Sequence, residues 1–207
     1  MLLEEEEKRG VMQMIEVYID GASEPVNPGG IATYGFVIYR DGERIDSGCG
    51  RVEEKNTSNN VAEYAALIRA LEKIVERKIS NERIIFRSDS ELLINQLNGA
   101  YAVRAPRIVP LFERVKVLVA ELESLGNRLQ FAWIPRELNQ EADALSIQAY
   151  EEFCEAHPEV IRRYDKYLAT EKQKQFMRKL GITFSKWISK RAASKLIDEK
   201  LEELRSR

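Results

Sequence analysis

MIEVYID (Met14–Asp20), GASEPVNPGGI (Gly21–Ile31) and TYGFVIYR (Thr33–Arg40) follow one another, and their order sets the fold. The first and third stretches alternate and are rich in β-branched and aromatic residues, the pattern of strands. The stretch between them is dense in Gly, Pro, Ser and Asn and reads as a loop. Asp41-Gly42 then has the chemistry of a two-residue hairpin turn, and Glu43–Val52 returns as a third strand. Three antiparallel strands therefore come first.

The period changes after residue 57. Ser58-Asn59-Asn60 can cap a helix from about Val61 to Arg77, with Ala62, Ala65, Ala66, Ile68, Leu71 and Ile74 spaced for one buried face. Arg83–Arg87 (RIIFR) is a short apolar strand. Ser88-Asp89-Ser90 opens a helix ending near Gly99, and Val109–Leu125 is helical. Leu129–Trp133 is a fifth strand, broken by Ile134-Pro135, and Leu138–Phe153 is the last helix of the unit. The order βββαβααβα predicts an α/β fold: a five-stranded mixed sheet flanked by helices, three antiparallel strands leading into βαβ crossovers.

Four segments are expected: an acidic N-terminal tail (1–12), an α/β unit (13–155), a linker (156–168) and a basic all-α module (169–207). Within the last, Thr170-Glu171-Lys172-Gln173 is a capping-box pattern, Leu180-Gly181 ends a helix, and Ser189 can cap another with Ala192, Leu196, Ile197, Leu201 and Leu204 on one face. On this reading a chain ended near Ala156 keeps its turnover.

Composition narrows the class. Of 207 residues, 44% are hydrophobic, enough for a sizeable core, and the charged 32% are mixed in sign. Cys49 and Cys154 are too few for a disulfide framework, so a reducing, cytoplasmic setting is expected. No apolar run approaches the ~20 residues of a membrane span, and MLLEEEEKRG (Met1–Gly10) is not a secretory signal. No membrane partner is expected. Charge is divided unevenly. Residues 1–160 hold 18 Lys and Arg against 28 Asp and Glu, a net of −10; residues 161–207 hold 14 against 6, a net of +8. An acidic body with a basic tail is a nucleic-acid pattern, although a charged helical tail can also be merely solvated.

Four acids stand where strands end or helices begin. Asp20 is read as the last residue of the first strand, Glu63 as an early residue of the first long helix, Asp89 as the residue after the fourth strand, and Asp143 as part of the last helix. Open sheets carry ligand sites at strand ends, so Asp20 and Asp89 face one crevice, and Glu63 and Asp143 can reach it from flanking helices. Taken singly, a strand-end Asp is an ordinary turn former and an early-helix Glu favours the helix dipole. Together, clustered carboxylates repel and need a cation. Hard oxygen ligands suit Mg²⁺ or Mn²⁺ rather than Zn²⁺, and two such ions about 3.5–4 Å apart serve phosphodiester hydrolysis.

Tyr18-Ile19-Asp20-Gly21-Ala22-Ser23 with Asn27-Pro28-Gly29-Gly30, Thr57-Ser58-Asn59-Asn60-Val61-Ala62-Glu63-Tyr64, Ser88-Asp89-Ser90 with Gln96-Leu97, and Pro135-Arg136-Glu137-Leu138-Asn139 with Ala142-Asp143-Ala144-Leu145 together resemble the four motifs of type 1 ribonuclease H. The match spans roughly 14–153 and is most similar to archaeal-type and related short members. The resemblance implies an endonuclease that hydrolyses the RNA strand of RNA–DNA hybrids with two Mg²⁺ ions (Mn²⁺ as a substitute), leaving 5′-phosphate and 3′-hydroxyl ends. It implies that Asp20 bridges both ions, Glu63 and Asp89 complete one, and Asp143 the other. Gly21, Ala22, Ser23, Asn59, Glu63 and Glu91 match positions that read RNA 2′-hydroxyls, the group that separates RNA from DNA. Asn27, Ser58 and Asn60 match contacts to the DNA strand, and Arg136 and Asn139 complete the substrate-binding set. A monomer acting on hybrids is expected, with double-stranded RNA open as a second substrate.

Two features depart from the family pattern. Many relatives carry a histidine in the loop before the last acid; here the only histidine is His157, which reads as solvated, and Arg136 or Glu137 is left to serve instead. Some relatives carry a basic handle; Asn98–Pro110 is too short for one and offers only Arg104 and Arg107. The basic tail could supply what the body lacks, with Lys186, Lys190 and Arg191 as candidate nucleic-acid contacts. Phe176, Phe184 and Trp187 among these bases can either stack on nucleic acid or form a small core. The rival readings are another nuclease on the same fold, such as a resolvase or exonuclease, and a binding module without catalysis. The Asn59-Asn60 pair ahead of Glu63 argues against the first, and retention of four repelling acids against the second.

Overall fold

The structure is a computed structural model and describes residues 13–53 and 57–206. The acidic 1–12 segment lies outside the described residues. Five strands form one sheet in the order β3-β2-β1-β4-β5: β1 (Met14–Glu24), β2 (Ile31–Arg40), β3 (Glu43–Arg51), β4 (Arg83–Ser88) and β5 (Arg128–Trp133). The β1–β2 and β2–β3 pairs are antiparallel, and the β1–β4 and β4–β5 pairs are parallel. This is the mixed five-stranded sheet expected from the sequence. At the β2–β3 turn Asp41 (φ 49°) and Gly42 (φ 84°) both take left-handed conformations, as a twist-matched two-residue hairpin requires.

β1 is longer than its sequence suggests. It runs past Asp20 to Glu24, pairing Gly21–Glu24 with Tyr34–Ile31, so the connecting loop shrinks to 25–30. Asp20 is therefore not the end of a strand. It lies within the central strand opposite Gly35.

Helices cover both faces. α1 (Asn59–Glu76) and α3 (Val109–Ser124) pack Leu67, Leu71, Ile74, Val115, Leu118 and Leu122 against Ile15, Val17, Ile19, Ile84 and Phe86. Ser58 caps α1, accepting from the Val61 N–H, and Ser90 caps the short α2 (Glu91–Leu97) through the Leu93 N–H. A 3₁₀ turn at Arg136–Leu138 leads into α4 (Gln140–Ala156), which crosses β1, β2 and β3 on the opposite face.

Two glycines set how closely these helices approach. A Cβ on Gly21 would lie 2.2 Å from the Ala62 carbonyl carbon of α1, and one on Gly35 would lie 2.4 Å from the Ala142 carbonyl oxygen and 2.6 Å from the Ser146 nitrogen of α4. Side chains alternate along a strand, so Gly21 opens the α1 face and Asp20 beside it points to the α4 face. Both helices thereby reach one point on β1.

The stretch after α4 is packed. α5 (Pro158–Ile161) and a 3₁₀ turn (Arg162–Tyr167) lie against the sheet domain, where Ile161 is buried with Ile31, Tyr150 and Cys154. Val160, Tyr164, Leu168 and Trp187 close over this cluster. Beyond it, α6 (Glu171–Lys179) carries the expected capping box at Thr170, and α7 (Lys190–Arg205) is capped by Ser189. These helices enclose a small core of Ala169, Met177, Ile188 and Ala193, joined by Ile182, Phe184, Leu196 and Ile197. Among the tail's aromatics, Phe184 and Trp187 are thus packed inward, while Phe176 stays exposed. No described helix is long and apolar enough to cross a membrane.

Candidate active site

Three of the four acids meet. Asp20 comes from the middle of β1, Glu63 from the first turns of α1, and Asp89 from the residue after β4; one carboxylate oxygen from each lies within 4.8 Å of the others. Asp20 and Glu63 are buried, Asp89 partly. The close docking permitted by Gly21 brings Glu63 over β1, and the parallel β1–β4 pairing brings Asp89 alongside.

Burial and mutual repulsion make this cluster costly in isolation. The Asp20 carboxyl is pushed up to about 6, first by burial and then by Asp143 and Asp89, against a hydrogen bond from Ser146 and the Arg136 charge that favour its ionised form. The Glu63 carboxyl is raised well above the usual range, by burial foremost and by Asp20 and Asp89, with a Ser88 hydroxyl bond opposing. Ser88 Oγ donates to Glu63 at 3.4 Å.

Asp143 sits in the first turn of α4 and is not part of the trio. Arg136 donates to its Oδ1 at 2.6 Å, and the Arg136 charge also acts on Asp20 and Glu63. The Ser146 hydroxyl, one turn on from Asp143, is within hydrogen-bond reach of both the Asp20 carboxylate and the Asp143 carbonyl, which share its single proton. Asn139 ties the site to the sheet: its amide donates to the Ile19 carbonyl at 2.9 Å and to Asp89 Oδ1 at 3.0 Å. The Asn139 Oδ1 atom is buried without a partner. Trp133 Nε1 donates to the Asp89 carbonyl, leaving its ring half exposed beside the site.

A second group of expected residues forms one wall. The Ser23 N–H donates to Asn59 Oδ1 at 2.9 Å, and the Asn59 N–H to Asn27 Oδ1 at 3.0 Å. Thr57 braces the same loop, its hydroxyl donating to the Gly30 carbonyl and its own carbonyl accepting from Gly29. Gly21 and Ala22 lie in β1 between this wall and the acids. Ser58 is engaged as the α1 cap, and Asn60 is exposed in the first turn. Glu91 is exposed at the start of α2 and outside the acid trio.

The sequence reading missed Ser146, Ser88 and Gly35. The signal for Ser146 was its place one turn after Asp143 on the same helix face; the strand pairing that put Gly35 opposite Asp20 gave no local sign.

Residues 20–149 match the family described as reverse transcriptase-like. The chain belongs to this ribonuclease H-like family. Its ribonuclease H-like domain is 35% identical to LC11-RNase H1, recovered from compost and crystallised with an RNA/DNA hybrid, with a TM-score of 0.61 over 67% of this chain and 97% of that one. RNase H1 of Halobacterium salinarum superposes with a TM-score of 0.59 at 33% identity, covering 67% and 98%. The uncharacterised protein YpeP of Bacillus subtilis is 32% identical over 157 residues, 73% of this chain and 66% of YpeP. The match spans 66% of YpeP and 65% of the Halobacterium ribonuclease HI, but only 35% of the bifunctional protein Rv2228c of Mycobacterium tuberculosis.

The site's donor set fits a divalent metal. Asp20, Glu63 and Asp89 offer hard oxygens at coordinating separations, and carboxyls pushed up by burial and repulsion are relieved by a bound cation.

Proposed function

We propose that this protein is a ribonuclease H: a metal-dependent endonuclease hydrolysing the RNA strand of RNA–DNA hybrids to 5′-phosphate and 3′-hydroxyl ends. The observation that carries it is the meeting of Asp20, Glu63 and Asp89 within 4.8 Å on a ribonuclease H-like sheet. The similarity to an RNase H1 crystallised with a hybrid supports the substrate. Residues 13–155 are proposed as the hydrolytic unit, acting as a monomer. The free thiols Cys49 and Cys154 support a reducing, cytoplasmic setting.

In this reading Asp20, Glu63 and Asp89 would hold one Mg²⁺, and Asp143 with Asp20 would hold a second, with Mn²⁺ as a substitute. Bound there, the ions would supply positive charge to the scissile phosphate and acidify the attacking water. Ser146 and Ser88 keep the Asp20 and Glu63 carboxylates aimed by hydrogen bonds. Asn139 fixes Asp89 against the sheet. Arg136 guards Asp143 with its guanidinium and offers a cation to substrate where many relatives carry histidine. The Ser23 and Asn59 side of this wall presents backbone and amide groups to RNA 2′-hydroxyls, which lets the site tell RNA from DNA, while Asn27, bonded to the Asn59 N–H, lies on the side that meets the DNA strand.

The test is a hybrid labelled on either strand, incubated with the full chain and Mg²⁺. Cleavage confined to the RNA strand, with a DNA duplex left whole, is expected. Comparable cleavage of a DNA duplex would replace this reading with a resolvase-like one, and no cleavage with Mg²⁺ or Mn²⁺ would overturn it.

A further inference from the structure

The basic tail is fixed to the domain beside the site. Tyr164, in the turn after α5, donates through its hydroxyl to the Gly29 carbonyl at 3.0 Å, in the loop that also holds Asn27. Tyr150 of α4 donates to the Trp187 carbonyl at 3.2 Å. Trp187 and Ile161 pack with Ile31, the first residue of β2. The tail is closed on itself by a bridge between Leu168 and Ser189 and by the Ala169 N–H donating to the Ile188 carbonyl. These contacts set the Lys186–Arg191 segment against the end of β1.

There the charges converge. Glu24, the last residue of β1, takes a hydrogen bond from Ser189 and feels both Arg136 and Arg191. Arg136 is the residue that pairs with Asp143. Glu24 is therefore within electrostatic range of both a site arginine and a tail arginine. Lys186, Lys190 and Arg191 are exposed, and Arg162 and Arg163 are exposed just ahead of Tyr164. Lys190 donates to the Lys166 carbonyl, which fixes its ammonium in place. The tail's Phe184 and Trp187 are spent on packing, so the outward chemistry of this segment is cationic.

We propose that the C-terminal module is the second half of the nucleic-acid surface, continuing the rim from Arg136 across Glu24 to Arg191, Lys190 and Lys186, where backbone phosphates of the substrate bind. The proposal rests on the ribonuclease H reading for the identity of the substrate. It draws on charge complementarity: a body of net −10 repels a polyanion, and a segment of net +8 is docked at the edge of its site. Each phosphate neutralised by a Lys or Arg releases condensed counterions, so such a surface makes binding depend steeply on salt.

The test uses the full chain with Mg²⁺ and measures KM for a uniform RNA–DNA hybrid from low to moderate KCl. Lys186→Ala combined with Arg191→Ala should raise KM by roughly tenfold at low salt, and should lower the slope of log KM against log salt by about one to two. The effect should fall on KM rather than kcat. Arg191→Lys keeps the charge and should keep the parental slope, and matching melting temperatures hold the fold constant across variants. If the parent cleaves the hybrid and the double variant shows the same KM and slope, this inference falls while the ribonuclease reading stands. If Arg191→Lys loses as much as Arg191→Ala, the residue does not act through charge and the inference falls as well. Absence of hybrid cleavage by the parent fails the underlying reading instead.

Discussion

Replacing Asp20 by Asn should make the metal-free protein more stable, and the gain should depend on pH. The folded state holds the Asp20 proton with a pKa of about 6 against an ordinary 3.8. For an acid shifted upward, the folded state binds more protons than the unfolded one between these values. Stability therefore falls as pH rises through that window, and the loss is complete above it. The shift corresponds to about 3 kcal/mol. Asn carries no charge to desolvate, and its carbonyl can still accept from Ser146. In EDTA, Asp20→Asn should match the parent near pH 4 and exceed it by up to ~3 kcal/mol at pH 7.5, a rise in Tm on the order of 6–10 °C for a chain of this size. Relief of Glu63, which Asp20 also repels, works in the same direction. Mg²⁺ should stabilise the parent more than the variant, and the variant should not cleave hybrid. Thermal melts at a series of pH values with and without EDTA measure all of this. A variant less stable than the parent at pH 7.5 in EDTA, or a difference constant from pH 4 to 8, would refute the account of the cluster as a repelling, cation-seeking site.

Gly35→Ala should cost on the order of 1–3 kcal/mol and most of the activity, because its Cβ meets the α4 backbone and drives Ser146 and Asp143 away from Asp20; urea midpoints and hybrid cleavage check it, and a near-parental protein would contradict the close-docking argument. A chain ended at Ala156 should be destabilised by several kcal/mol, since it uncovers Ile31, Tyr150 and Cys154 by removing Ile161 and Trp187, each worth about 1.5–3 kcal/mol of burial. Equal denaturation midpoints for the short and full chains would instead support the independent linker expected from the sequence.

The strands, their order along the chain and the elements that carry the acids were legible because each rests on local signals: alternation, a turn dipeptide, a capping serine. The extension of β1 to Glu24 was hidden, since Gly21–Ser23 reads as loop by composition and becomes strand only through pairing with Tyr34–Ala32. Asp143 was expected beside the other acids; it lies in α4 as expected but outside the trio, paired with Arg136, and that pairing depends on how a 3₁₀ turn aims a side chain seven residues earlier in the chain. The packed stretch at 158–167 was equally hidden. A four-residue helix has no periodicity to detect, and Ile161 stands among charged neighbours that look like a solvated join. What makes Ile161 core is Ile31 and Trp187, both far off in sequence.

That packing changes what the uneven charge can do. A tail on a free linker spreads its net +8 over many positions, and most of them lie beyond the ~8–10 Å within which charge is felt at physiological salt. A tail pinned through Tyr164 to Gly29 and through Trp187 to Tyr150 holds Arg191 within electrostatic range of Glu24. Glu24 is the last residue of the strand that carries Asp20, four positions away. Apolar burial at Ile31, Ile161 and Trp187 thus fixes the place of charge, and fixed charge beside an acidic site can act on a polyanion there in a way the same residues on a loose tether cannot.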